Sequence, residues 1–497
     1  MSDIRNTESQ SIKKSLKTTS LFGGVQVFNI LVQVIRNKFV ALLIGPVGVG
    51  VVALYSATIN LIKTCTDFSL QVSAVRDISI AHKSGDANGF SHKVTVFSRI
   101  VWFTGLLGLA VCLLGSPLWS KLTFGDYSYT LGFALLSVVL LLRQLQTGKT
   151  VILQGTEHYR YIAHSSVIGS VLGLVTTVPI YYFWKLDGIV AVLIISAASA
   201  YILAFYYTSK LKIKYSKVST KQVLIEGKDM LRQGILLSVN ALSSTLIFYI
   251  LRVFITDKGG VAELGLYSAS FAIINTYVGM VFQAMSQEYY PRISSLSNNE
   301  FEFNKSINNQ IYLSLLLIGP LVAIFLTFSD QLLILLYSQK FTGATTLMAL
   351  SMLGVILQAP SWCMGYAFLA KGDNKAFLIY ETIAKTQKIV TDIAFYLLWG
   401  LTGLGLSFIL SFLYYTLQCA VVCRKRYGLV ITRTNMILII SNLILGSVVI
   451  ASLMFLPLLS RICVGMIIVI ISGIVSYKNL SEVVDIKAFV LKVLKKK

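Results

Sequence analysis

The feature that most constrains this chain is a succession of apolar runs, each about twenty residues long and separated by short polar connections. Hydrophobic residues make up 55% of its 497 residues and charged residues only 13%, whereas soluble domains contain about 25% charged residues. Such a run crosses a bilayer as a helix, because lipid offers no hydrogen-bond partner to an exposed backbone group. The sequence therefore predicts an all-α, polytopic membrane protein of about fourteen transmembrane helices.

The positive charge of the chain is distributed unevenly between its connections. The formal net charge is +22 at pH 7, and in a soluble protein such a value indicates a nucleic-acid partner. Here lysine and arginine concentrate in every second connection, while the intervening connections hold only Lys121, Lys185, Lys258, Lys340 and Arg461. By the positive-inside rule, the basic connections and both termini are predicted to be cytoplasmic. This topology explains most of the charge, so nucleic acid is not an expected partner.

Two hairpins of similar sequence indicate an internal repeat. Apolar segments meet at Gly45-Pro46 within residues 36–58 and at Gly259-Gly260 within residues 250–270, and each turn is followed by Leu-Tyr-Ser-Ala. With six predicted spans in each half, an even number, both halves enter the membrane from the same side as parallel repeats.

The predicted organisation follows from this repeat. It comprises an N-terminal lobe of spans 1–6 (residues 1–207), a basic cytoplasmic linker (208–234), a C-terminal lobe of spans 7–12 (235–424), two extra spans (425–476) and a basic amphipathic tail (477–497). The two lobes are expected to surround a central cavity. The tail is expected to lie on anionic membrane lipids of the inner leaflet.

Charged residues within the predicted spans are more often basic than acidic. The basic ones are Arg36, Lys38, Lys63, Arg99, Arg252, Lys385 and Lys388, and the acidic ones are Asp67, Glu381 and Asp392. A charge at the centre of the bilayer costs about 2.5–3.5 kcal/mol or more, so these groups should face the protein interior or a water-filled cavity. Lys63 and Asp67, four residues apart on one helix, are predicted to form a structural ion pair.

One predicted span carries a charged stripe. Glu381, Lys385, Lys388 and Asp392 follow one another at intervals of four, three and four residues, so they share one face of a helix across much of the membrane. This pattern predicts one hydrated face. Lys388 and Asp392 also have the spacing of a simple ion pair, and that alternative stays open. The carboxylates of Glu381 and Asp392 are candidate sites for a coupling proton or sodium ion.

The charge that remains after pairing is positive and favours an anionic ligand. A guanidinium offers a planar fork of donors suited to phosphate oxygens, and a lysine supplies a mobile point charge. The candidate anion-binding residues are therefore Arg36, Lys38, Arg252, Lys385 and Lys388. The alternative is that Arg36 and Arg252 only bond backbone carbonyls at breaks between helices.

Other classes of function have little support in the sequence. The histidines and cysteines lack the spacing of a metal site, and no glycine loop followed by lysine and serine offers a phosphate cradle. Metal binding, a cofactor and ATP hydrolysis are therefore not expected. A membrane glycan polymerase or ligase needs a sizeable outer loop, and every predicted outer connection is short. We predict that the chain is not an enzyme.

Short motifs distributed over nearly the whole chain point to a known family. They are Lys38-x-x-Ala41-x-x-x-Gly45-Pro46-x-Gly48-x-Gly50, Arg252, Pro291-x-Ile293-Ser294, Lys340-Phe341-Thr342 and Gly365-Tyr366-x-x-x-Ala370-Lys371. With them the chain resembles the Wzx-type O-antigen and lipid III flippases of the multidrug/oligosaccharidyl-lipid/polysaccharide exporter superfamily. By position, Lys38 and Arg252 look like cavity cations of this family, whereas the two C-terminal helices depart from its twelve-helix members.

This resemblance implies a function and a location. The expected function is to move undecaprenyl-diphosphate-linked oligosaccharide, such as an O-antigen unit for lipopolysaccharide biosynthesis, outward across the bacterial cytoplasmic (inner) membrane by alternating access. The candidate cations would hold the diphosphate, and a proton or sodium ion would serve as counter-ion. The alternative is a drug or organic-ion exporter of the same superfamily, although organic cations would favour an acidic cavity.

Overall fold

The computed structural model describes the backbone of residues 2–483 and side chains from residue 22 onward, except those of residues 72–73, 224, 229, 231, 233, 235–237 and 482–483. Within this range every regular element is a helix, and ten helical ranges are long and apolar enough to cross a membrane. The predicted all-α membrane class is confirmed. The amphipathic tail predicted at 477–497 lies outside the described residues from residue 484 onward.

The helices fall into two compact units, Met1–Gly265 and Leu266–Lys497. In chain order the α-helices are α1 (Ser2–Thr66), α2 (Leu70–Lys83), α3 (Ala87–Leu114), α4 (Ser116–Phe124), α5 (Thr130–Gly155), α6 (Tyr159–Trp184), α7 (Gly188–Ser209), α8 (Thr220–Glu226), α9 (Lys228–Ser295), α10 (Glu300–Thr327), α11 (Ser329–Leu336), α12 (Thr345–Ala370), α13 (Asn374–Tyr427), α14 (Arg433–Phe455) and α15 (Leu458–Val483). Short 3-10 helices occupy Lys185–Asp187 and Gln339–Ala344. The boundary between the units lies within α9.

Three of the longest helices are broken at glycine. Gly45 interrupts α1 with φ 63° and ψ −169°, and Gly260 interrupts α9 with φ 82° and ψ 169°. This region of backbone space is open essentially to glycine alone, so each helix consists of two segments that meet at a sharp break. In α13 the break lies at Trp399 and Gly400. The hinge predicted at Gly45-Pro46 is therefore present.

The order of elements repeats along the chain. A broken helix, α1 or α9, opens each series, and a long–short–long succession follows later as α3–α4–α5 and as α10–α11–α12. A further pair of helices follows, joined by a 3-10 turn between α6 and α7 and by a break within α13. This order supports the internal repeat seen in the sequence. The parallel orientation of the two halves stays a prediction.

Two large hydrophobic clusters lie in the core of unit Met1–Gly265. One contains Tyr55 and Phe133, which bring the second segment of α1 against α5. The other contains Ile78, Phe97 and Ile152, which join α2, α3 and α5. Since α5 contributes to both clusters, its position in the unit is fixed along most of its length.

Glycines allow α9, just after its break at Gly260, to cross α1 at backbone contact. A Cβ atom placed on Gly50 would lie only 2.0 Å from the carbonyl oxygen of Val261, and one placed on Gly265 would lie 1.9 Å from that of Pro46. Any larger residue at either glycine would force the two helices apart. The segments next to the glycine breaks of α1 and α9 therefore lie against each other within unit Met1–Gly265.

The two C-terminal helices pack within unit Leu266–Lys497. The Asn435 amide on α14 donates to the backbone oxygen of Asn308 on α10 at 2.9 Å, and Arg461 on α15 pairs with Asp330 on α11. The extra helices are thus bonded to the repeat by buried amides and by an ion pair. In α12, nearly every residue from Leu347 to Phe368 is buried.

Asp373 joins the start and the end of α13. Its carboxylate accepts a hydrogen bond from the backbone N–H of Ala376 (3.2 Å) and one from the Tyr427 hydroxyl (3.1 Å), and it pairs with Arg426 at 2.5 Å. Burial alone would raise the pKa of Asp373, but these hydrogen bonds and the Arg426 charge outweigh it and lower the pKa.

One predicted connection is partly helical. The polar residues that follow Leu145 do not end α5, which continues to Gly155. They form one face of a helix whose other face is buried. The predicted linker at 208–234 contains α8 and the first residues of α9.

Candidate substrate-binding and ion-coupling sites

Arg36 lies on the first segment of α1 and points toward α6. Its Nη1 atom is 3.4 Å from the position that a Cβ atom on Gly173 would occupy, so the glycine leaves room for the guanidinium. Its charge also interacts with the phenol of buried Tyr181 on the same helix. Arg36 is half-buried, and it forms no ion pair with any side chain in the described part of the chain. The protein therefore keeps a cation there without a neutralising carboxylate.

Arg252 and Lys38 are the other two candidate cations of unit Met1–Gly265. The Arg252 Nη1 atom donates to the backbone oxygen of Ala53 at 3.3 Å, which ties α9 to the second segment of α1. This is the carbonyl bond that the sequence-based alternative proposed for Arg252. Both side chains are half-buried and interact with other groups of the protein.

Lys63 and Asp67 lie where α1 ends. The Lys63 Nζ atom is 2.6 Å from Oδ2 of Asp67, and the other carboxylate oxygen accepts the backbone N–H of Ser69 at 3.0 Å. Phe68 and Ser69 adopt positive φ angles of 48° and 45°, which are uncommon for residues with a Cβ atom. The pair thus supports a tight turn between α1 and α2.

The charged stripe of α13 lies in unit Leu266–Lys497 and consists of two ion pairs. Lys388 Nζ is 2.7 Å from Asp392 Oδ2, and Lys385 Nζ is 3.5 Å from Glu381 Oε2. The Asp392 side chain is only 3% exposed, while that of Lys388 is 26% exposed. Both candidate anion-binding lysines are therefore close to a carboxylate, so their positive charge is largely balanced locally.

Hydroxyl groups on the second segment of α13 face this stripe. They recur at four-residue intervals and belong to Ser407, Ser411 and Tyr415. Tyr415 donates to Glu381 at 2.5 Å, and Ser407 donates to Asp392 at 2.6 Å. Sequence reasoning missed these groups because single hydroxyl residues are common in membrane helices. Their regular spacing, just after the charged span, is the signal that could have identified them.

Arg143 is a membrane cation that sequence reasoning missed. It lies within α5 and is half-buried. Its Nη1 atom donates to the Asn60 side-chain oxygen at 3.2 Å, and Asn60 lies one turn before Lys63 on α1. Unit Met1–Gly265 therefore carries a further cation in its long apolar helices, beside the second segment of α1.

Comparison with known proteins places these residues in a family context. Residues 39–346, more than half of the chain, match the family model described as polysaccharide biosynthesis protein. The lipid III flippase of Escherichia coli is 20% identical over 399 residues, which cover 78% of this chain and 92% of that protein, and the lipid III flippase of Shigella flexneri matches equally well.

Solved structures share the fold at lower identity. An inward-facing multidrug resistance MATE transporter of the MOP superfamily aligns with a TM-score of 0.63 at 17% identity, over 81% of this chain and 94% of that one. The lipid II flippase MurJ, in an inward closed conformation, aligns with a TM-score of 0.62 at 14% identity, over 94% of this chain and 99% of that one. The predicted resemblance to Wzx-type flippases is confirmed by the family match, and the chain belongs to the polysaccharide biosynthesis protein family.

Proposed function

We propose that this protein is a flippase that moves undecaprenyl-diphosphate-linked oligosaccharide, an O-antigen unit or a related glycan repeat unit, to the outer leaflet of the bacterial inner membrane by alternating access. The observation that carries the proposal is that this chain of the polysaccharide biosynthesis protein family has half-buried cations on the long apolar helices of one compact unit. The substrate is moved and not chemically changed, so no catalytic residue is assigned.

Arg36 is the best-supported contact to the diphosphate. It is half-buried within a membrane span, has no ion pair in the described part of the chain and lies beside a glycine that leaves space. Lys38 and Arg252 are assigned the same role. A guanidinium carries five N–H donors, and one of those on Arg252 bonds the backbone oxygen of Ala53.

The membrane potential would assist export of an anionic lipid. A lipid diphosphate carries about two negative charges, and each charge gains about 2.3 kcal/mol per 100 mV on leaving a negative interior, so the total is up to about 4.6 kcal/mol. Binding energy alone sets no direction, because the affinity must differ between the inward-open and outward-open states.

The return of the empty, positively charged transporter is assigned to a counter-ion. Asp392 and Glu381 are the proposed proton or sodium sites, with Lys385 and Lys388 as secondary contacts to the diphosphate. Supporting this role, the Asp392 carboxylate is buried beside the hydroxyl of Ser407, which can follow a change in its charge by acting as donor or acceptor. Ion binding at Asp392 would release Lys388 from its pair and leave its charge available to the substrate.

The proposed topology has fourteen spans with both termini in the cytoplasm. Four of the ten membrane ranges are 45 residues or longer, and each of these contains a break or a short turn where the chain can reverse. If each crosses twice, the count is about fourteen spans. A cysteine placed at Lys217 should therefore resist a membrane-impermeant thiol reagent applied from outside, and labelling there would overturn this orientation.

The second candidate function is export of drugs or organic ions. It is favoured by the likeness of the fold to multidrug resistance MATE transporters. Uptake of labelled organic cations into inverted vesicles, with no flipping of lipid-linked glycan, would support this alternative instead.

The test of the first function is lipid flipping in proteoliposomes. Arg36→Gln and Arg252→Gln retain polarity but remove charge, and each should slow flipping about tenfold or more, because a charge-assisted hydrogen bond is worth about 1.5–3 kcal/mol. Arg160→Gln, at an exposed position on α6, is the matched control and should leave the rate unchanged. If both variants, singly and together, flip at the wild-type rate, the diphosphate is held elsewhere.

A further inference from the structure

A polar groove lies between α2 and α5 in unit Met1–Gly265. Its volume is about 460 Å³, and its lining residues are Gln71, Val75, Gln146, Thr147, Thr150, Val151 and Gln154. Five of these seven carry an uncharged amide or hydroxyl. The α5 residues belong to a membrane-spanning range, where a concentration of polar groups is costly unless they contact water, one another or a ligand.

The groove is built by the periodicity of α5. Gln146, Thr150 and Gln154 recur every four residues and therefore share one face of the helix, whereas Gly148 and Ile152 on the other side are buried. The Gln146 amide donates to the Thr150 hydroxyl at 3.2 Å, so these two groups are held side by side. The polar face is thus ordered and is directed away from the core.

A positive charge lies at one end of the same helix face. Arg143 precedes Gln146 by one turn and donates to Asn60 on α1. From Arg143 to Gln154 the helix rises by about 16 Å. Along this distance the groove side of α5 changes from a cationic group to uncharged amides and hydroxyls. A ligand that matched it would be anionic at one end and rich in neutral hydroxyl groups along the rest.

An oligosaccharide attached to a diphosphate has this distribution. Sugar hydroxyls donate and accept hydrogen bonds, and glutamine amides and threonine hydroxyls do both. We propose that the groove is the binding subsite for the sugar part of the substrate. Gln146, Thr150 and Gln154 form hydrogen bonds with the sugar hydroxyls, and Arg143 lies at the end nearest the diphosphate. This inference rests on the proposed flippase function and adds to it the residues that recognise the glycan.

The test compares lipids with and without sugar. The probes are the lipid-linked oligosaccharide extracted from cells that produce it and sugar-free undecaprenyl diphosphate. The double variant Gln146→Ala with Gln154→Ala should flip the oligosaccharide lipid about tenfold more slowly, because it removes two groups that bond the sugar. Flipping of the sugar-free lipid should not change. Gln339→Ala, at an exposed position in the 3-10 helix Gln339–Ala344, is the matched control and should behave as wild type with both lipids.

Each other outcome overturns the proposal in a recognisable way. If the double variant slows both lipids equally, the groove supports the fold and not the sugar. If it slows neither, the sugar binds elsewhere.

Binding of the released glycan to the purified protein gives a readout independent of flipping. Wild type should bind the glycan about tenfold more tightly than the double variant. Equal binding, or no binding by wild type, overturns the groove assignment. If wild type moves neither lipid but binds the glycan in this way, the flippase function fails while the sugar subsite stands.

Discussion

The ion pair between Lys388 and Asp392 allows a quantitative test of how unit Leu266–Lys497 tolerates charge in the membrane. Asp392→Asn removes the negative charge but keeps a side-chain oxygen that can accept the Ser407 hydroxyl. The Lys388 Nζ atom, which is 2.7 Å from the Asp392 carboxylate in the wild-type protein, then has no negative charge beside it. Lys388→Met removes the positive charge while keeping similar length, and the combined variant removes both charges.

The expected magnitudes follow from burial. Removing one partner of a buried pair costs about 3–5 kcal/mol, because the remaining charge is left without compensation. The charge left behind by Asp392→Asn is on Lys388, which is 26% exposed, whereas the charge left by Lys388→Met is on Asp392, which is only 3% exposed. We therefore expect the free energy of unfolding to fall by about 3 kcal/mol in Asp392→Asn and by more in Lys388→Met. In the double variant it should lie within about 1 kcal/mol of the wild-type value, because replacing both charges is often nearly neutral.

The assay is denaturant titration of the purified protein in detergent, followed by fluorescence. Glu302→Gln is the control, because its pair with Lys305 is 3.9 Å long with both side chains well exposed; such pairs contribute about 0.2–1 kcal/mol. If the double variant is as unstable as the sum of the single variants, the two charges are not coupled and the reasoning fails. The ion dependence of flipping should be lost in both variants that lack Asp392, even where stability is restored.

Three further predictions follow from the contacts described above. Neutralising Lys63 or Asp67 alone should reduce flipping and stability more than neutralising both, and a double variant that transports no better than either single one would contradict the structural pair. Gly45→Ala and Gly260→Ala should each lower the free energy of unfolding by about 1–3 kcal/mol, because both glycines hold a conformation closed to alanine; melting curves would show it, with Gly23→Ala, in open space, as the control. The folded-state pKa of Asp373 is depressed, so its stabilising contribution is full above pH about 4 and is lost as pH falls through the folded pKa. The acid-induced destabilisation should shrink in Asp373→Asn, and an unchanged pH profile would contradict this assignment.

The membrane class and the hinges could be predicted from sequence because they depend on local properties. The length of an apolar run is set by the bilayer, and Gly45-Pro46 within such a run predicts a break, which the structure has at φ 63°. The full extent of α5 could not be predicted, because Gln146 and Thr150 resemble loop residues until α2 is known to leave a polar groove beside them.

In the candidate sites, the contacts within one helix could be predicted from sequence, whereas the contacts between segments could not. The spacing of Lys388 and Asp392 identified two residues on one turn of a helix, and they are in contact. Spacing could not identify Ser407 or Tyr415 as partners, because these side chains reach the stripe only after the helix doubles back at Gly400. Nor could it reveal that Arg36 lies beside Gly173, which is 137 positions away in the chain. Contacts between segments distant in sequence depend on how the helices pack. The spacing of residues along a single sequence does not show which helices are neighbours.

The crossing of α9 over α1 has a consequence for synthesis of the protein. Pro46 and Gly50 are in contact with Gly265 and Val261, so the first broken helix cannot be covered until the chain has grown well past its sixth span. At about 5–20 residues per second, the ribosome needs about 3–12 s to extend the chain from residue 207 to residue 265. During that interval the exposed backbone at Gly50 is open to chaperones and to wrong helix partners. A nascent chain arrested after residue 207 should therefore be cleared by membrane proteases faster than one arrested after residue 265.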